Sequence, residues 1–277
     1  MPIDSLRPVP PHLRPTVQRA FRALLLASLL TTPTALSGQD GSGSIWERGR
    51  FQVGVSGGAL THSLLGIVNG TLTRSSGSDL TLDVDVKAEP SAVMGGFLGW
   101  QASPSVGLRV RVAHAGTQMA LSALGRPVQG PGSQAFDFGE LGDVELWLAG
   151  AELTWMPWTT TSRARPHVFV GLGASNWEIT GLEDLGSLPP LLESPVNLRP
   201  VRTTLPSVSV GGGITLALGG SLAALIEVSD HVSGNPFADD DFRIGSSFTG
   251  VGKAKDLVHS LSFSAGLRLD LGPSTAF

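Results

Sequence analysis

Residues 261–271 read Leu-Ser-Phe-Ser-Ala-Gly-Leu-Arg-Leu-Asp-Leu, with an apolar side chain at every second position: Leu261, Phe263, Ala265, Leu267, Leu269 and Leu271. Between them stand Ser262, Ser264, Gly266, Arg268 and Asp270. Side chains alternate across a strand, so this segment carries one continuous apolar face and one polar, charged face. A soluble sandwich with its apolar face turned inward gives the same pattern. Two further features move the reading: similar stretches recur, separated by alternately long and short gaps, and the N-terminus has the make-up of a secretory signal. Together they predict an all-β, antiparallel transmembrane barrel with lipid outside and polar groups inside.

Eight strands are expected, at about 51–59, 92–102, 106–115, 144–156, 167–177, 207–218, 222–232 and 260–271. The gaps 101–105, 157–166 and 219–221 are short, whereas 61–91, 116–142, 180–206 and 233–259 are long. Long and short alternate throughout and leave both termini on the short-turn side, the arrangement of bacterial barrels with short periplasmic turns and long external loops. A Greek-key sandwich has no reason to sort its loops this way. In the first long gap, Leu80, Leu82, Val84 and Val86 alternate with Thr81, Asp83 and Asp85, either as an extension of the second strand or as a further strand that spoils the even count. The fourth strand sets Trp147, Ala149, Ala151, Leu153 and Trp155 on one face and Glu152 and Thr154 on the other. Eight residues at ~3.3 Å, tilted by ~40°, span roughly 20 Å, near the height of an apolar band with an aromatic girdle at each edge. Leu146 and Leu148 then face the lumen, which is acceptable only where that lumen is packed rather than wet.

Composition fits an envelope barrel. The 277 residues include 36 Gly, 19 Pro and no Cys, with 41% apolar and 15% charged residues, against a helical protein or a charged disordered chain. Without Cys there are no disulfides and no cysteine–zinc sites. A net charge of −4 and the lack of a basic stripe give no sign of a nucleic-acid partner. Tyr, common at barrel interfaces, is absent, which counts against the reading. At the N-terminus, Arg14, Arg19 and Arg22 precede an apolar run over 23–30, and small residues follow at Ala35, Ser37 and Gly38. That order describes a signal peptide over residues 1–38, too short to span as a helix, leaving a barrel domain over 39–277.

A signal peptide followed by about eight strands resembles the small eight-stranded outer-membrane barrels of diderm bacteria, the family of the outer-membrane protein A transmembrane domain and its relatives. The final strand adds to the resemblance: Ser264-Ala-Gly-Leu-Arg-Leu-Asp-Leu271 is similar to the polar-x-Gly-x-x-hydrophobic-x-hydrophobic signal of last strands, with Leu269 and Leu271 in place of aromatics and Phe277 beyond Pro273. The resemblance implies a bacterial outer-membrane location and barrel assembly machinery as a partner. Outer-membrane lipids and lipopolysaccharide are expected as surroundings, with a monomeric state and no cofactor.

An eight-stranded barrel is only wide enough for side chains or one small ligand. By alternation, Gln52, Arg109, Arg111, Glu152, His167, Glu227, His231, Arg268 and Asp270 face inward. Their mixed charge is what a narrow, poorly hydrated lumen requires, because an unpaired buried charge is costly. The expectation is a plugged lumen held by a network of Arg109, Arg111, Glu152, Glu227, His231, Arg268 and Asp270, with a non-enzymatic structural, adhesive or ligand-interacting role. A gated ion path lined by the same pairs is the sharper alternative. So is a soluble lipocalin-like barrel, with apolar faces inward and Arg109, Arg111 and Arg268 outward. The most enzyme-like feature is His231-Val-Ser233, which looks like the His-x-Ser of the lipid A 3-O-deacylases. That likeness implies His231 as base and Ser233 as nucleophile, but the family's downstream Glu is missing and Asp239, Asp240 or Asp241 has to replace it. The same three aspartates do not have calcium-loop spacing, and no His cluster has metal-ligand spacing.

Overall fold

Period-two alternation along the chain becomes strand after strand, and backbone pairing then decides how they close. The computed structural model describes residues 50–72, 79–128, 132–157, 163–181, 196–197, 200–237, 243–244 and 248–271. The expected signal segment, the three aspartates at 239–241, and Pro273 and Phe277 lie outside the described residues. Thirteen strands are described: β1 (Phe51–His62), β2 (Leu64–Leu72), β3 (Leu80–Ala88), β4 (Ser91–Gln101), β5 (Val106–Pro127), β6 (Gln134–Trp155) and β7 (Ala164–Thr180), then β8 (Val196–Asn197), β9 (Val201–Gly219), β10 (Leu222–Gly234), β11 (Arg243–Ile244), β12 (Phe248–Ala254) and β13 (Leu257–Leu271).

Eight of these form a closed antiparallel ring, in the order β1, β4, β5, β6, β7, β9, β10, β13 and back to β1. The ring closes where Phe51 pairs with Leu271 and His62 with Ser260. Closure gives every strand of the ring two neighbours, so no edge is left there with unpaired backbone groups. The eight expected strands are all present. At the tight β9–β10 turn, Gly219 and Gly220 take positive φ values of 137° and 56°, a backbone conformation that side chains disfavour.

The other strands build upward from the ring. β2 pairs with β3, and β3 takes over from β4 as the neighbour of β5, so Ala88 lies opposite Met119 where Val93 lies opposite Ala115. β12 continues β13 and pairs with β2. The 80–86 stretch is therefore the upper half of the second ring strand, broken at Glu89 and Pro90, and the ring count stays at eight. The expected loops over 61–91 and 116–142 are largely strand. The ladder continues above the ring because apolar residues continue on its inner face: Leu82, Val84 and Val86 on β3 and Met119 and Leu121 on β5 are all buried.

Burial divides the interior into two zones. At the level of the ring it is polar, with Arg109, Arg111, Glu152, His167, Glu227, Ser229, Arg268 and Asp270 all buried. Above that lies an apolar core that includes Leu60, Leu65, Val68, Val84, Leu146, Leu148, Trp177, Ile179 and Val258. Leu146 and Leu148 belong to this upper core, which is how two leucines come to point into a barrel lumen.

Candidate functional site

β5 sets Arg109 and Arg111 on one inner wall, and β10 sets Glu227 on the wall four strands away in either direction around the ring. The guanidiniums reach across the full lumen. Arg109 Nη1 donates to Glu227 Oε1 at 2.5 Å, and Arg111 Nη2 donates to Glu227 Oε2. Glu152, directly opposite Arg109 in the β5–β6 ladder, accepts from Arg109 Nε and lies 3.7 Å from Arg111 Nε through its Oε2. His167 Nε2 sits 2.9 Å from Glu227 Oε1, and the Ser209 hydroxyl donates to Glu152 Oε1 at 3.4 Å. Two guanidiniums and two carboxylates thus neutralise each other away from water, the condition under which buried charge is tolerated.

Two phenylalanines and several glycines complete this cluster, and sequence alternation alone did not single them out. The Arg109 guanidinium lies 4.3 Å from the Phe169 ring centre and 5.4 Å from that of Phe97, a cation–π arrangement inside the lumen. Gly213 is paired with Glu227 and Gly171 with Glu152. A Cβ on Gly213 would lie 2.9 Å from Glu227 Cγ, and one on Gly171 would lie 2.7 Å from Glu152 Cγ. These glycines leave the room the carboxylates occupy. The signal for them is a register, glycine opposite an inward acid, which appears only once strands are aligned.

Below the cross-lumen pair, Arg268 Nη2 donates to Asp270 Oδ2 at 3.1 Å, and Gln52 Nε2 donates to Gln101 Oε1 at 3.3 Å. The voids beside the network measure ≈ 10 Å³ next to Glu152 and Ser209, ≈ 20 Å³ next to Gln52 and Thr215, and ≈ 20 Å³ next to Ser56 and Ser262. Each has room for about one water and none for a solute.

His231 and Ser233 both face inward and are buried, but they do not bond to each other. His231 Nε2 lies 3.3 Å from the Ser229 hydroxyl, which is itself 2.7 Å from Ser262, while Ser233 donates to the Gly234 carbonyl at 3.0 Å. The base–nucleophile contact of a hydrolase is not formed in this geometry. Asp230 belongs to the opposite face. Its Oδ2 meets His259 Nδ1 at 2.8 Å on the outer wall.

The outer wall is apolar over the height of the ring. β13 presents Leu261, Phe263, Leu269 and Leu271 outward, β7 presents Val168, Val170 and Leu172, and β4 presents Met94, Leu98 and Trp100. Trp100 and Trp155 mark one edge and Trp147 the other, where its ring lies 4.5 Å from that of His114. Past that edge the outward positions turn polar: Thr61 on β1, Glu145 on β6, Glu178 and Arg202 on β7 and β9, and Asp230 with His259. Eight residue steps from Phe263 to Leu271 at ~3.3 Å and a tilt of ~40° give roughly 20 Å, near the height of a hydrocarbon-facing band. The lipocalin-like alternative is corrected by this arrangement. Arg109, Arg111 and Arg268 are inside and the apolar faces outside, because only the interior offers the arginines carboxylate partners.

No family model matches the chain, and no curated protein matches it. Among solved structures, it is similar to Neisserial surface protein A, at 14% identity over 80% of this chain and 97% of that one with a TM-score of 0.43. It is also similar to the outer membrane protein OprG from Pseudomonas aeruginosa, at 14% identity over 80% and 98% with a TM-score of 0.40. A third is the outer membrane protein AlkL in DMPC lipid bilayers, at 15% identity over 89% and 98% with a TM-score of 0.40. These likenesses are distant, and the fold is read from the strand ring itself. With eight antiparallel strands closed on one another, charge inside and an apolar band outside, the chain has the fold of the small eight-stranded outer-membrane β-barrels.

Proposed function

We propose that this chain is an integral, monomeric protein of a bacterial outer membrane whose lumen is sealed, and that it works through the part of the barrel standing above the membrane. The observation that carries this reading is the pairing of Arg109 and Arg111 with Glu227 across the whole lumen. A solute path would have to break three buried charges apart, and truncating one side of such a group costs about 3–5 kcal/mol. The upper apolar core around Leu146, Leu148 and Trp177 is a second barrier in series. With the lumen closed twice, the surfaces left for recognition are those of the strand extension formed by β2, β3, β12 and the upper halves of β5 and β6. The role is that of a non-enzymatic anchor which presents those surfaces, with lipopolysaccharide and the outer leaflet as its surroundings and no cofactor.

Two measurements test this reading. Cells expressing the chain are fractionated and the membrane fraction is run on gels with and without boiling; an outer-membrane band that shifts on heating supports the anchor. The purified barrel is then placed in a planar bilayer, where the expectation is no unitary conductance. A soluble periplasmic product, or steady conductance from the unmodified chain, contradicts the proposal.

A further inference from the structure

The outer face of the extension carries a groove of ≈ 550 Å³, large enough for a ligand, where the voids within the lumen hold single waters. β3 forms one side. Its inner positions Leu82, Val84 and Val86 are buried in the upper core, so Asp83, Asp85 and Lys87 are directed outward along the groove, with Glu89 at its end. The floor is made of small residues of β5, chiefly Ala120 and Ser122. The ladders fix the rows: Asp85 pairs with Ser122 and Ser122 with Asp137, while Lys87 pairs with Ala120 and Ala120 with Glu140. Asp83, Asp85 and Glu89 thus line one side of a small-residue floor, and Lys87 is the one cation among the groove-lining residues described. Arg126 Nη2 lies 3.9 Å from Asp83 Oδ2 at the rim, with both side chains well exposed.

We infer that this groove binds an extended cationic peptide segment with basic side chains at alternate positions. Asp83 and Asp85 are two residues apart on one strand face, a spacing of about 6.8 Å, and alternate side chains of an extended ligand repeat at the same interval. Small floor residues let a peptide backbone approach the sheet, and Asp83, Asp85 and Glu89 supply the complementary charge. The inference rests on the reading that the extension is the working surface, but its test does not depend on where the protein resides in the cell or on whether the lumen conducts.

The full chain, folded in detergent and verified by its heat shift, is titrated into a fluorophore-labelled Lys-Ala-Lys-Ala-Lys peptide and followed by anisotropy. The expected result is saturable binding that weakens about tenfold in Asp83→Asn/Asp85→Asn and also weakens as salt rises, because exposed charges are screened over about 10 Å at 0.1 M. Lys87→Glu tightens it, and this variant keeps the test decisive if the double variant does not fold. Glu178→Gln/Asp230→Asn, which changes acids on β7 and β10 away from the groove, leaves it unchanged. The inference is overturned by an absence of saturable binding, by an equal loss in Glu178→Gln/Asp230→Asn, or by equal affinity for the block isomer Lys-Lys-Lys-Ala-Ala.

Discussion

His62 and Trp177 meet across the lumen: their rings are 5.4 Å apart, centre to centre, and tilted by 57°, although β1 and β7 stand on opposite walls of the ring. Trp177 is fully buried and belongs to the upper apolar core. The barrel is therefore bridged twice along its axis, by Arg109 and Arg111 to Glu227 at one level and by His62 to Trp177 at the other. The two bridges differ in chemistry, and that difference sets what each substitution does.

Opening the ionic bridge alone is expected to leave the lumen closed. Glu227→Ala removes the shared acceptor of Arg109, Arg111 and His167, yet Leu146, Leu148 and Trp177 still fill the lumen above it. Single-channel recording of Glu227→Ala should match the unmodified barrel, whereas Glu227→Ala/Leu148→Ala/Trp177→Ala should show unitary events. Steady conductance from Glu227→Ala alone refutes the second barrier.

The same substitution should weaken the fold. Removing Glu227 leaves two guanidiniums buried with Glu152 as the remaining carboxylate between them, at a cost of about 3–5 kcal/mol. The measurable consequence is a lower temperature for the heat shift on gels and a lower denaturant midpoint. Gly213→Val is expected to act through the same residue, since its Cβ would lie 2.9 Å from Glu227 Cγ and 2.1 Å from the Ile226 carbonyl oxygen. Gly116→Val is the control, because nothing lies within 4 Å of the added Cβ there. Equal stability of the two glycine variants would count against a glycine role in holding the plug.

The eight ring strands were legible because period-two alternation is a local signal and because a lipid-facing wall makes it strict, as at 261–271 and in the Trp147–Trp155 face of β6. What was not legible is everything that depends on register or on distance across the lumen. Alternation directs Arg109 and Glu227 inward but carries no information that β5 and β10 stand opposite each other. The upper core was missed for a related reason. Leu80, Leu82, Val84 and Val86 look like any amphipathic strand, and whether they extend the second ring strand or add a ninth depends on the break at Glu89 and Pro90, which shifts the pairing with β5 by one residue. Phe97, Phe169 and the glycines opposite acids were silent because an aromatic or a glycine in a strand has many uses until its neighbour is known.

Ser233→Ala and His231→Ala are expected to leave lipid A acylation unchanged in cells. Ser233 donates its hydroxyl hydrogen bond to the Gly234 carbonyl, and both side chains face the interior, away from the acyl chains a deacylase must reach. Mass spectrometry of extracted lipid A checks this directly. A change in the acyl pattern that both substitutions abolish would reinstate the enzyme and require the two side chains to reorient.

Leu172 and Val251 separate the lipid-facing wall from the extension. Both are 73% exposed, so solvent accessibility alone assigns them the same tolerance to charge. Leu172 lies on β7 between Val170 and Ala174 within the apolar band, whereas Val251 lies on β12, which pairs with β2 above it. An arginine facing the hydrocarbon midplane of a barrel costs ~2–4 kcal/mol, while a surface substitution in water usually stays within ~0.5 kcal/mol. Reversible unfolding in phospholipid vesicles should therefore show Leu172→Arg strongly destabilised and Val251→Arg nearly neutral. In water, where no hydrocarbon faces either side chain, equal exposure carries equal cost. A similar effect of the two substitutions in vesicles would mean that the apolar wall does not face lipid, and the membrane reading would fall with it.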